Sequence, residues 1–376
     1  MMTLLPLILL GFYTTVVKTY ASFSDETIKN IPLPGEDFNI KTGKILAPIL
    51  IPRVSGTDGS AIVQRHFIDW FSSNLPDWRI EYQNSTSTTP ISGNKLVPFV
   101  NIIFTRDPPW ANPGDVGRLV LAAHYDSKYD PPGFIGAIDS AAPCAILMHA
   151  VKSIDKALTQ KWAASETDGF KGLGEEHGIQ ILLLDGEESF LRWTDTDSLY
   201  GSRSLAEAWE KTSNAALSVY HNPLDSISLL VLLDLLGAPN TIIPSYFETT
   251  HWAYKKIAGI EARMRTLGLL RLKPSTNLIF PDSAKTYFPP GFMIQDDHIP
   301  FMARGVDILH IIPSNFPPVW HTLEDTGENL DMPTVEDLAK IMTIFVGEWM
   351  ELEGYFPIQT HMEWKKNELN EVFFKL

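Results

Sequence analysis

The chain has 376 residues, of which 44% are hydrophobic and 20% charged. That composition is globular and excludes a disordered, collagenous or multi-span membrane protein. Thirty Lys and Arg against 45 Asp and Glu leave a formal charge of −15, the wrong sign for a nucleic-acid surface.

Leu4 to Val17 is mostly apolar and uncharged, yet too short to span a bilayer comfortably, which takes ~20 residues. Thr19-Tyr20-Ala21 then places small residues at a cleavage site. The pattern reads as a secretory signal peptide over residues 1–21, although no Lys or Arg opens it. An uncleaved anchor is the alternative. The sequence therefore predicts a secreted mature chain, 22–376, folded as one domain, with no stable membrane association. Residues 22–58 are rich in Pro and Gly and are expected to wrap the surface. Ile62, Val63, Phe67, Ile68, Trp70 and Phe71 have helical spacing within Ser60–Leu75. Asn84-Ser85-Thr86 is a glycosylation sequon in a polar stretch that should be exposed. Pro98–Phe104 and Leu119–Ala123 read as strands. Ala141–Ile154 reads as a helix with Pro143 in its first turn, where proline is tolerated. Ile179–Leu184 reads as a strand, Leu229–Leu236 is a further apolar run, and Val306–Ile312 reads as a strand. Thr249–Leu267 and Val335–Leu352 suit helices.

Strands alternating with helices predict an α/β domain with a largely parallel sheet. Apolar runs without polar alternation predict strands covered on both faces. Nothing resembles a domain linker. The breaks at 160–176 and 270–295 read as long loops of the kind that frame active sites. The single cysteine, Cys144, excludes an intrachain disulfide and a multi-Cys zinc module.

Polar residues gather where the apolar runs end. His124 and Asp126 follow one run, Asp139 opens the next helix, and Glu187-Glu188 follow Ile179–Leu184. Asp234 interrupts Leu-Leu-Asp-Leu-Leu, where an unpaired buried carboxylate would cost several kcal/mol. His321 follows the last strand. Open α/β sheets bind ligands beyond the carboxyl ends of their strands. Asp, Glu and His are also the residue types that hold catalytic zinc while leaving one position open. If one of the adjacent glutamates ligates metal, its neighbour is free to move protons. Dinucleotide, Walker, Gly-x-Ser-x-Gly and His-Glu-x-x-His signatures are absent.

Seven blocks, in order, resemble the glutaminyl-peptide cyclotransferases. They are His124–Lys128, Asp139–Ala145, Asp185–Glu188, Asp197–Arg203, Leu233–Pro239, Gln295–Phe301 and Trp320–Thr322. The resemblance covers roughly residues 50–352 and extends to the zinc aminopeptidase-like hydrolases, whose central sheet is mixed and flanked by helices on both faces. It implies one zinc per chain, held by Asp139, Glu188 and His321, with Glu187 transferring protons. It implies Asp234 and Asp296 as hydrogen-bonded catalytic acids, and Trp193, Phe316 and Trp320 as walls of the substrate pocket. The implied reaction is cyclisation of N-terminal Gln of peptides and proteins to pyroglutamate, with loss of ammonia, by a monomeric enzyme. A secreted aminopeptidase is the alternative, since His124 and Asp234, with Asp139 bridging, match the second metal site of that class. Secreted vertebrate members pair a cysteine at the Ala123 position with one at Cys144. Here Cys144 is expected to be a free, buried thiol.

Overall fold

A computed structural model describes residues 22–167, 175–273, 276–289 and 293–356. At its centre six strands form one sheet: β1 (Arg79–Ser87), β2 (Val97–Arg106), β3 (Val116–His124), β4 (Glu176–Leu184), β5 (Ile227–Leu233) and β6 (Ile308–Ile311). Their order is β1-β2-β4-β3-β5-β6. β4, β3, β5 and β6 run parallel, and β2 joins β4 antiparallel with β1 beyond it at the edge. The predicted mixed, mostly parallel sheet is therefore present.

The helices are α1 (Asp25–Asn30), α2 (Asp58–Asn74), α3 (Ala142–Thr167), α4 (Tyr200–Lys211), α5 (His251–Thr266), α6 (Ile299–Met302) and α7 (Met332–Trp349). Side chains along a strand point alternately to its two faces. Leu119, Leu121 and Ala123 of β3 join the larger core, with α2, α3, α5 and α7. Val120 and Ala122 join a second core that includes Leu205 and Ala206 of α4 and Phe301 of α6. Both faces of the strand are thus dry, which is why its sequence shows no polar alternation.

The structure modifies two expectations and adds two elements. The 22–58 segment lies under cover as much as on the surface. Phe23, Ile28, Phe38, Leu46 and Ile49 enter the larger core, and the Phe23 backbone N–H donates to Glu348 Oε1 at 2.7 Å. Helix α3 continues through Thr167, so only the remainder of the expected 160–176 loop is left, and residues 168–174 lie outside the described part. β1 and α4 were not legible in the sequence. β1 is an exposed edge strand reading Arg-Ile-Glu-Tyr-Gln-Asn-Ser-Thr-Ser, and polar edges prevent sheet-to-sheet association. Asn84 lies on it, exposed. The leader expected over 1–21 lies outside the described residues. Among the described residues, no helix is long and apolar enough to cross a membrane. Cys144 is free and buried in α3, its Sγ–H donating to the His124 carbonyl at 3.2 Å.

Candidate active site

The parallel register aligns the carboxyl ends of the strands. His124 pairs with Leu184, Ala122 with Leu232, and Leu232 with His310. The segments that follow are therefore delivered to one edge: 185–188 after β4, 234–235 after β5 and 312–321 after β6. Here a cavity of about 450 Å³ opens, with Asp139, Glu187, Glu188, Asp234 and His321 among its lining. Trp193, Phe316 and Trp320 also line it, so eight of the nine predicted site residues share one cavity.

Asp139, Glu188 and His321 each present one donor atom within 4.8 Å of the others. His321 Nε2 lies 3.5 Å from Asp139 Oδ2 and 3.4 Å from Glu188 Oε1. Glu188 Oε1 is buried and makes no hydrogen bond. Burial lowers the His321 pKa, but the two carboxylates outweigh it and hold the imidazole up to about 9. Burial likewise opposes ionisation of Asp139, yet His124 and His321 hold its carboxyl well below the usual range. An orphan oxygen and a position where negative charge attracts positive charge fit a cation, and two carboxylates with one imidazole fit zinc.

Glu187 sits beside this trio and lines the same cavity. Its backbone N–H and that of Glu188 each donate to Asp126, at 3.1 Å, so one carboxylate clamps both glutamates from below. The Glu187 side chain makes no hydrogen bond among the described residues and faces the cavity. Burial, reinforced by Glu188, Asp296 and Asp297 and opposed by His124, raises its pKa well above the ordinary value.

Asp234 and Asp296 are neighbours in charge. Burial and then the charge of Asp296 push Asp234 up to about 6. Its Oδ1 accepts from Ser140 Oγ and from the Leu235 backbone N–H at 2.8 Å. Asp296 instead pairs with His310 Nε2 at 2.7 Å and accepts from the Asp297 N–H at 2.6 Å. His124 closes the set, Nε2 lying 3.0 Å from Asp139 Oδ1 and 3.3 Å from Asp234 Oδ1.

The aromatic wall is braced from outside. Trp320 stacks on His321 at 3.9 Å between ring centres and meets Phe316 edge-on at 4.7 Å. Trp193 Nε1 donates to Gln295 Oε1 at 2.7 Å, joining two walls of the cavity. Asp197 accepts from the backbone N–H groups of Phe190, Leu191 and Arg192, which fixes the turn before Trp193. Sequence reasoning left Asp126 and Asp197 without roles, because a carboxylate that serves backbone amides leaves no periodic trace.

Gly136 shapes the turn into Asp139. Its φ is +63°, and a Cβ there would lie 2.0 Å from the Asp139 carbonyl oxygen. Gly136→Ala is expected to destabilise the protein by ~2 kcal/mol or more, read as a lower urea midpoint, and to weaken metal binding.

An α/β sheet with a carboxylate–histidine trio at its carboxyl edge defines a metallohydrolase-like enzyme. Consistent with this, the chain matches Peptidase family M28 over residues 101–346. It is 39% identical over 312 residues to a glutaminyl-peptide cyclotransferase of Boiga irregularis, covering 82% of this chain and 80% of the relative. It is 39% identical over 308 residues to that of Drosophila melanogaster, covering 80% and 78%. The crystal structure of Macrostomum lignano glutaminyl cyclase superposes with a TM-score of 0.72 at 29% identity, covering 89% and 96% of the two chains. The chain belongs to the glutaminyl-peptide cyclotransferase family.

Proposed function

We propose that the chain converts N-terminal glutamine of peptides and proteins to pyroglutamate, releasing ammonia, with one zinc held by Asp139, Glu188 and His321. The carrying observation is an aromatic-walled cavity whose floor holds that trio and an unbonded, buried Glu187. When bound, zinc supplies a Lewis acid for the side-chain amide carbonyl. Glu187 takes a proton from the attacking α-amine and hands it to the leaving nitrogen, help typically worth ~10²–10⁴-fold. Trp193, Phe316 and Trp320 hold the glutamine side chain curled towards its own amine and keep out water. Asp234 and Asp296, tied to Ser140 and His310, fix the charge beside Glu187.

The aminopeptidase reading is not favoured. Its second metal would sit on His124, Asp139 and Asp234, which lie close enough to hold one, but the relatives at 39% identity are named glutaminyl-peptide cyclotransferases. The uncharged, mostly apolar run Leu4–Val17 supports entry into the secretory pathway, with 22–376 as one catalytic domain, and exposed Asn84 is a fitting glycan acceptor.

Purified chain incubated with Gln- and Leu-initiated peptides decides between the activities. Pyroglutamate is expected from the first, and rapid Leu release without ring closure would overturn the proposal. Attack requires a neutral α-amine, and such amines titrate near ~7.7–8.0. The rate is therefore expected to rise from acid to mildly alkaline pH. N-terminal Glu should react far more slowly, as its carboxylate is the poorer electrophile. A pH–rate series on both peptides checks this.

A further inference from the structure

The turn that delivers Asp139 is gripped from both sides by buried charges that the reaction does not use. Arg53 is fully buried. Its guanidinium donates to the carbonyl of Gly136 at 2.9 Å, and also to those of Tyr125 and Ile135. Its backbone N–H donates to Ser127 Oγ at 2.8 Å. One cation thus ties the segment after β3 to the turn before Asp139. From the opposite side, Asp325 Oδ1 accepts from the Ile138 N–H at 2.8 Å, and the Asp325 carbonyl accepts from the Ala137 N–H at 3.2 Å. Asp325 lies shortly after His321, and its own N–H closes a turn onto the Thr322 carbonyl at 3.1 Å.

Asp139 and His321 come from loops far apart in sequence, and Asp325 is the stitch between those loops. Among the described residues Arg53 makes no direct ion pair, and its charge is compensated by carbonyl dipoles and by the nearby carboxylates Asp126, Asp139 and Asp325. A cation buried on those terms is expensive. Neither Arg53 nor Asp325 lines the cavity. We propose that Arg53 and Asp325 form a latch across residues 135–138 that sets the separation of Asp139 and His321, and with it the affinity of the metal centre. Both are positioning residues.

This inference rests on the ligand assignment above. Zinc binding by the unaltered chain tests that assignment, whereas the ratio of variant to unaltered affinity tests the latch. Zinc affinity is measured by chelator competition on the full chain, with folding checked by near-UV circular dichroism. Asp325→Ala is expected to weaken zinc ~10–100-fold, the range for lost outer-shell support. Asp325→Asn keeps an oxygen for the Ile138 N–H and should stay within about threefold of the unaltered chain on the same scale. Arg53→Lys keeps the charge but cannot reproduce a planar fork, and should weaken zinc ~10-fold. Met264→Ala, a core truncation in α5, should lower the melting temperature without changing zinc affinity. Unaltered zinc affinity in Asp325→Ala and Arg53→Lys overturns the latch, as does an equal loss in Met264→Ala or in Asp325→Asn. Should Asp325→Ala fail to fold, Arg53→Lys decides the matter.

Discussion

Glu187→Gln is expected to lower kcat ~10²–10⁴-fold while zinc content and melting temperature stay at their unaltered values. The substitution keeps size and shape and removes only the capacity to take and return a proton. Its backbone N–H still meets Asp126, so the neighbouring Glu188 stays in place. Its side chain has no hydrogen bond to lose among the described residues, so little stability is at stake. Steady-state kinetics on a Gln-peptide, with metal analysis of the same sample, reads both halves. Loss of zinc in this variant would show that the two adjacent glutamates do not divide their roles as assigned.

Glu188→Ala should behave in the opposite way, losing zinc first and activity as a consequence. The buried Oε1 makes no hydrogen bond, and Lys128 Nζ sits 3.3 Å from Oε2. Removing the carboxylate leaves Asp139 and His321 as a two-donor site beside an unneutralised lysine. Affinity should fall by more than the ~10²-fold typical of outer-shell losses. Atomic absorption after dialysis against a mild chelator should find the variant stripped and the unaltered chain loaded. Excess zinc should restore part of the activity in Glu188→Ala and none in Glu187→Gln.

The parallel core was legible because burial on both faces writes itself into sequence. β3 is apolar throughout Leu119–Ala123 and β4 throughout Ile179–Leu184 apart from Gln180, and their ends were placed within a few residues. β1 was not legible because an edge strand beside solvent can use almost any polar residue. α4 buries a narrow face through Leu205 and Ala206 and begins after Leu199 in a left-handed turn, φ +53°, without a capping side chain. At the site, chemistry at the strand ends exposed His124, Glu187-Glu188 and Asp234 as a group. Separating ligand from shuttle came from family resemblance, since adjacent glutamates look alike until Asp126 is seen clamping both amides. Arg53, Asp197 and Asp325 act on backbone groups, and such bonds depend on where loops meet in space. Composition and period carry no record of that.

Cys144 gives the chain a built-in reporter. Burial pushes its thiol up to about 12, and its Sγ–H is held by the His124 carbonyl. Cys144 is fully buried, so an alkylating reagent can reach it only when α3 opens away from the strand end that carries His124. Because the sequence holds a single cysteine, every labelling event reports that one opening. The labelling rate in the native state, with and without zinc, would therefore measure how far metal binding clamps the floor of the site, without any substrate being present.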